Sequence, residues 1–146
     1  MDILIMNGPN LGFLGQRQPE IYGSQGMDAV PGMVGDLLGS SNAASIRLDY
    51  FQSNSEGGLI DRLEKAWQEK TSALVLNAGA YTHTSIAIGD AIRAVKAPVV
   101  EVHISNVHSR EDFRQVSMIS GACRGSVIGF GMDSYRLAVE ALIHQN

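Results

Sequence analysis

The chain has 146 residues, 45% of them hydrophobic and 18% charged, with a net charge of −4 and a pI near 5.5. This is the length of one domain with a core of its own, and the composition excludes wholesale disorder. No Lys/Arg-rich run marks a nucleic-acid surface, no apolar run nears the ~20 residues of a membrane span, and a lone cysteine, Cys123, permits neither an intrachain disulfide nor a thiolate zinc knuckle.

The opening MDILIMNGPN turns polar after six residues and lacks a basic n-region, so it does not read as a secretory signal; a reducing, cytoplasmic setting is expected. Its ILIM run, 3–6, predicts the first strand. Residues 27–42 supply the first crossover helix, although Pro31, Gly32, Gly35 and Gly39 all weaken it. The second strand, 46–51, alternates in the manner of a sheet edge. Leu59, Ile60, Leu63 and Trp67 follow one helical face, with Ser53 and Glu56 as a capping box. The third and fourth strands, 73–76 and 98–102, are almost continuously apolar, as strands buried on both faces are. Between them Ile86, Ala87, Ala91 and Val95 predict another helical face. A fifth strand at 126–128 precedes a helix carrying Tyr135, Ala138, Val139 and Leu142 on one face, with Asp133 or Ser134 as its N-cap. Strands alternating with helices predict an α/β, doubly wound sheet.

In such sheets ligands bind beyond the carboxyl ends of the strands, where strand order reverses. The segments following the strands, 7–15, 52–56, 77–84, 103–108 and 129–132, hold most of the unusual polar residues. NGPNLGFLG, 7–15, is rich in glycine but has no G-x-G-x-x-G and no Walker lysine, which disfavours a dinucleotide or FMN phosphate. The loop after it carries Arg17 and Tyr22 and is placed to act as a lid. In NAGAYTHTS, 77–85, Thr84 or Ser85 can cap the next helix. His83 would then lie near a helix N-terminus, where the dipole disfavours its charged form. Asp90, farther along that helix, reads as solvated. Glu101 and His103 are two apart on a strand and point to one side, so the carboxylate can orient the imidazole. Ser109 and Asp112 look like the start of a short helix that would put Arg110 and Arg114 on one face. Two guanidiniums beside a Glu–His pair make an anion-binding acid/base site. Metal ligation by Glu101, His103 and His108 is the rival reading; its spacing matches no standard ligand set, and the arginines would repel a cation. Eight of the eleven basic residues are Arg, which suits a small anionic ligand. Cys123 reads as an inert small residue, Arg124 and Arg136 as surface charges, and His144 as part of the tail. A flavodoxin-like module that only holds a small acid or nucleotide is the alternative to an enzyme.

With these residues in view, the sequence resembles the type II 3-dehydroquinate dehydratases along essentially the whole chain. The resemblance is carried by N-G-P-N-L with R-x-P-E-I-Y-G after it, Q-S-N-x-E-G-x-L-I-D at 52–61, N-x-G-A-Y-T-H-T-S-I-A-I-x-D at 77–90, P-V-V-E-V-H-I-S-N-V-H-x-R-E-x-F-R at 98–114 and G-x-V-I-G-F-G at 125–131. It implies a single flavodoxin-like domain, 1–146, with a five-stranded parallel sheet of order 2-1-3-4-5 and a lid at about 16–25. It implies anti elimination of water from 3-dehydroquinate through an enolate, on the shikimate pathway or in quinate catabolism, without metal or organic cofactor. By motif, Tyr22 is the base, Arg17 lowers its pKa, Asn10 holds the enolate-stabilising water, and His103 is the general acid supported by Glu101. Asn77, Gly79, His83, Arg110 and Arg114 belong to the substrate site, and the backbone amides of Ile104 and Ser105 take the substrate carboxylate. Asp90 pairs with a neighbouring protomer's site region in a homo-oligomer, a dodecamer of trimers. Lys65, Lys70 and Lys96 lie outside every motif, which argues against an imine route. The departures are Ala78 where the family usually has Pro, Gly12-Phe13, Ser55, Gly58 and the glycine- and proline-rich first helix.

Overall fold

The computed structural model describes residues 1–16, 20, 26–39 and 46–144. Strands β1 (Asp2–Asn7), β2 (Arg47–Gln52), β3 (Ala73–Asn77), β4 (Val99–His103) and β5 (Gly125–Ile128) pair in parallel as one sheet ordered β2-β1-β3-β4-β5. Each lies within one residue of its expected bounds. The described residues also form α1 (Ala29–Gly39), α2 (Glu56–Gln68), α3 (Ile86–Ala94) and α4 (Asp133–His144). None of these helices is long and apolar enough to cross a membrane.

Successive side chains of a strand point to opposite faces, and that alternation divides the core in two. Ile3, Ile5 and Val75 pack with Val30 and Val34 of α1 and with Tyr135, Ala138 and Val139 of α4. Leu4, Met6 and Leu76 pack with Leu59 and Leu63 of α2 and with Ile88 and Ile92 of α3. Burying each large apolar side chain contributes roughly 1.5–3 kcal/mol, so these two layers hold the sheet. β2, at the edge, is only partly buried, as its alternation predicts.

The weak first helix forms for a reason its composition hides. Pro31 falls in the first turn, where the missing N–H has no helical partner to lose. Gly32 and Gly35 face solvent, while Val30 and Val34, one turn apart, are fully buried.

Three details of the helices differ from expectation. The N-cap of α2 is Ser55, whose Oγ accepts the Gly58 N–H at 3.1 Å; Ser53 lies too far upstream and instead accepts the Ser55 N–H at 3.1 Å. Its buried face is Leu59, Leu63 and Ala66, leaving Trp67 53% exposed. On α3, Ser85 is the cap, one of the two expected, but the buried face is Ile88, Gly89 and Ile92, with Ile86 and Ala87 turned outward. On α4 the expected face is buried, but Asp133 and Ser134 lie inside the first turn rather than ahead of it. Asp133 pairs with Arg136, and the Ser134 hydroxyl accepts the Phe130 N–H and donates to the His103 carbonyl.

Candidate active site

Strand order reverses between β1 and β3, whose carboxyl ends lie in register at Asn7 and Asn77. The two loops leaving these strands touch backbone to backbone. Gly8 donates its N–H to the Asn77 carbonyl at 2.7 Å, and a Cβ on Gly8 would stand 2.4 Å from the Ala78 carbonyl oxygen. Gly79, at φ +59°, donates to Asn77 Oδ1 at 3.2 Å in a conformation glycine adopts without strain. Asn10 is left-handed as well, at φ 66°, which asparagine tolerates, and its N–H donates to Asn54 Oδ1 at 3.1 Å. Ala78 is fully buried, and the Gly8 and Gly79 bonds hold Asn77 in place.

A pocket opens at these ends. Asn10, Asn77, Gly79 and His83 line it from the β1 and β3 side, and His103, Ile104, Ser105, Arg110 and Arg114 from the β4 side. The arginines reach it differently from the expected single helix. Residues 107–114 form two short 3₁₀ turns, Val107–Ser109 and Asp112–Arg114, because the Asn106 side chain accepts the His108 N–H at 3.2 Å and starts the first turn early. Arg110 donates to Ser105 Oγ at 3.2 Å, and Arg114 donates to Glu111 at 2.8 Å.

At the end of β4, His103 Nε2–H donates to Glu101 Oε1 at 2.7 Å, with side-chain exposures of 7% and 1%. A buried carboxylate is costly unless it is paired and hydrogen-bonded. Besides the imidazole, Glu101 accepts Ser117 Oγ–H at 3.0 Å on Oε1, and on Oε2 it accepts Ser126 Oγ–H at 3.1 Å together with Ser120 Oγ–H. Burial by itself raises the Glu101 pKa. The bonds from His103, Ser120 and Ser117 and the nearby imidazole outweigh it and hold the carboxyl below its ordinary range.

His83 stacks at 6.1 Å from the His103 ring and donates Nδ1–H to the Val116 carbonyl at 2.8 Å. Its pKa is depressed, the direction expected from sequence, chiefly by burial, with the facing His103 and Arg114 adding to the effect.

Other expected residues lie elsewhere. Asp90 is exposed on α3, holds Arg93 at 3.2 Å and is not among the residues lining the pocket. Arg17 and Tyr22 fall outside the described residues, and so does the proposed lid apart from Gln16 and Glu20. The rival metal set does not assemble: Glu101 and His103 are bonded to each other, His108 is exposed, and the described residues contain no metal-ligating cluster. Cys123 is half-buried, and burial pushes its thiol up to about 12, which agrees with an inert residue. Sequence reasoning missed two features. One is the three serines around Glu101. The other is the buried Tyr135 hydroxyl, which donates to Asn7 Oδ1 at 2.6 Å and accepts from Asn77 Nδ2 at 2.8 Å.

The family profile described as Dehydroquinase class II matches residues 1–143. This chain belongs to the class II dehydroquinase family. Two relatives, each named 3-dehydroquinate dehydratase, illustrate the likeness. That of Exiguobacterium sp. is 51% identical over 98% of this chain and 94% of its own length, and that of Lachnoclostridium phytofermentans is 45% identical over 100% and 99%. The crystal structure of the type II dehydroquinase from Butyrivibrio crossotus superposes with a TM-score of 0.91 at 42% identity, covering 98% of this chain and 97% of that one. The class II dehydroquinase fold therefore accounts for the five-stranded order and for where the pocket lies.

Proposed function

We propose that this class II dehydroquinase removes water from 3-dehydroquinate, giving 3-dehydroshikimate by anti elimination through an enolate. The observation that carries this reading is the buried, carboxylate-paired imidazole of His103 in a pocket also lined by two guanidiniums. A module that only held an acid would have no use for a buried imidazole–carboxylate pair beside the anion.

In this mechanism the Tyr22 phenolate takes the C2 proton and leaves an enolate. A free phenol has pKa about 10, so it needs a neighbouring cation to ionise near neutrality. Arg17, in the same matched motif, is assigned that role. The enolate oxygen requires preorganised donors, supplied by a water held at Asn10. His103 then protonates the C1 hydroxyl as the C1–O bond breaks, and water departs. Because Nε2–H is committed to Glu101, Nδ1 is the nitrogen that hands over the proton. The substrate carboxylate sits on the backbone amides of Ile104 and Ser105, with Arg110 bracing Ser105. Asn77, His83 and Arg114 take the hydroxyls, with Gly79 fixing Asn77.

Purified protein given 3-dehydroquinate should produce the rising ultraviolet absorbance of a conjugated enone, unaffected by EDTA or by borohydride. No absorbance change would overturn the reading, and inactivation by borohydride with substrate would indicate an imine instead. Tyr22→Phe should nearly abolish turnover while keeping the fold; a fully active variant refutes the base. The proposal extends to assembly as a dodecamer of trimers, with Asp90 meeting a neighbouring protomer's site region. Light scattering that gives a monomer mass would refute it.

A further inference from the structure

Among the described residues, Ser117 is the one hydroxyl around Glu101 whose hydrogen has a fixed direction. Its Oγ accepts two backbone N–H groups, Ile119 at 3.2 Å and Ser120 at 3.0 Å. A serine oxygen has two lone pairs and one hydrogen, so with both lone pairs engaged the hydrogen can only be given away. It is given to Glu101 Oε1 at 3.0 Å, the same oxygen that receives His103 Nε2–H at 2.7 Å. A protonated carboxyl at Oε1 would therefore meet two donors and no acceptor. On Oε2 the hydroxyls of Ser120 and Ser126 complete four donors around a group with about four acceptor sites.

From this geometry we infer that Ser117 is a positioning residue for the acid: it keeps Glu101 ionised, so that His103 retains its Nε2 proton and transfers the one on Nδ1. The inference rests on His103 being the general acid proposed above. The depressed Glu101 pKa agrees with it, since donors to the charged form favour that form.

The groups facing the pair from neighbouring elements are few. His83 stacks on His103 from the turn before α3, while His108 and Arg114 line a cavity behind the pair that Ser117 and Ser120 also line. Cys123 faces Glu101 from the segment before β5, with its thiol pushed up to about 12.

The test is Ser117→Ala, read in two ways. Losing one hydrogen bond to a charged group should lower kcat about tenfold, the low end for such bonds. KM should stay nearly constant, and the alkaline limb of the kcat profile should move to higher pH, because a carboxylate with one donor fewer holds the proton of the pair more tightly. Ser117→Thr, which keeps the hydroxyl, should restore both. Independently of activity, NMR of protein labelled with ¹³C at the glutamate carboxyls should show Glu101 titrating at higher pH in Ser117→Ala than in the parent. Unchanged kcat, or an unmoved Glu101 titration, overturns the inference. If the parent itself fails to turn over 3-dehydroquinate, the proposed reaction falls, and the NMR titration alone decides the role of Ser117. If Ser117→Ala does not fold, Ser117→Cys, of similar shape but a weak donor, is read against the same two outcomes.

Discussion

The carboxyl end of β4 and helix α1 lie in one domain and are stabilised in different ways. At the end of β4, Glu101 is 1% exposed and each of its oxygens accepts two donors, so the arrangement is over-determined by hydrogen bonds. Helix α1 has low intrinsic propensity, with Pro31, Gly32 and Gly35 in its first two turns, and is held by burying Val30 and Val34 against the sheet and α4. The difference teaches that polar precision is concentrated where charge is handled. Elsewhere, tertiary burial of a few side chains is enough to override local preference.

The largest change should come from the β4 end. His103→Ala is expected to lower kcat at least ~100-fold, the usual loss for a general acid, with the far-ultraviolet circular dichroism unchanged; a smaller loss would mean that this region's hydrogen bonding serves the fold rather than the reaction. Next, Gly8→Ala should lower stability by about 1–3 kcal/mol in urea unfolding, because its Cβ would strike the Ala78 backbone, which cannot move aside as a flexible side chain can.

A third outcome concerns pH. His83 and Glu101 both have folded pKa values below their ordinary 6.5 and 4.5. For the imidazole, the unfolded chain takes up the proton first as pH falls below about 6.5, so stability declines from there towards the lower folded value. For the carboxylate, the stabilisation is complete above about 4.5 and is lost as pH falls through the folded value. The melting temperature should therefore hold from neutral pH upward with respect to these two groups and fall in two acid phases. His83→Gln should remove only the first phase. A melting temperature that rises on acidification would contradict both assignments. The smallest effect should be found on α1: Gly35→Ala, at a site where a Cβ meets nothing, should add about 0.5–1 kcal/mol in the same urea assay. A loss there would show that this helix is constrained by more than its valines.

Much of the fold could be read from the sequence because buried parallel strands are written as uninterrupted apolar runs; ILIM, ALVL and PVVEV place β1, β3 and β4 directly. The outward turn of α3 was not readable from apolar residues alone, since Gly89 lies on its buried face and carries no apolar signal. Within the site, Glu101 and His103 were legible because residues two apart on a strand share a side. The serines were not, since Ser117, Ser120 and Ser126 reach Glu101 from 16, 19 and 25 positions along the chain, through turns that no periodicity records. Tyr135 was read correctly as a packing residue, but its hydroxyl bonds to Asn7 and Asn77, 128 and 58 positions away, and that reach depends on the folded topology.

The Tyr135–Asn77 contact bears on chemical selectivity at the strand ends. The Asn77 amide gives one hydrogen to the phenol and accepts one from Gly79, so it turns a single remaining hydrogen and a single remaining lone pair to whatever comes next. An alcohol, which gives and takes at once, can satisfy both. An ether satisfies only the hydrogen and an ammonium only the lone pair, so the orientation imposed by α4, packed on the same face of the sheet, suits this side chain to an alcohol.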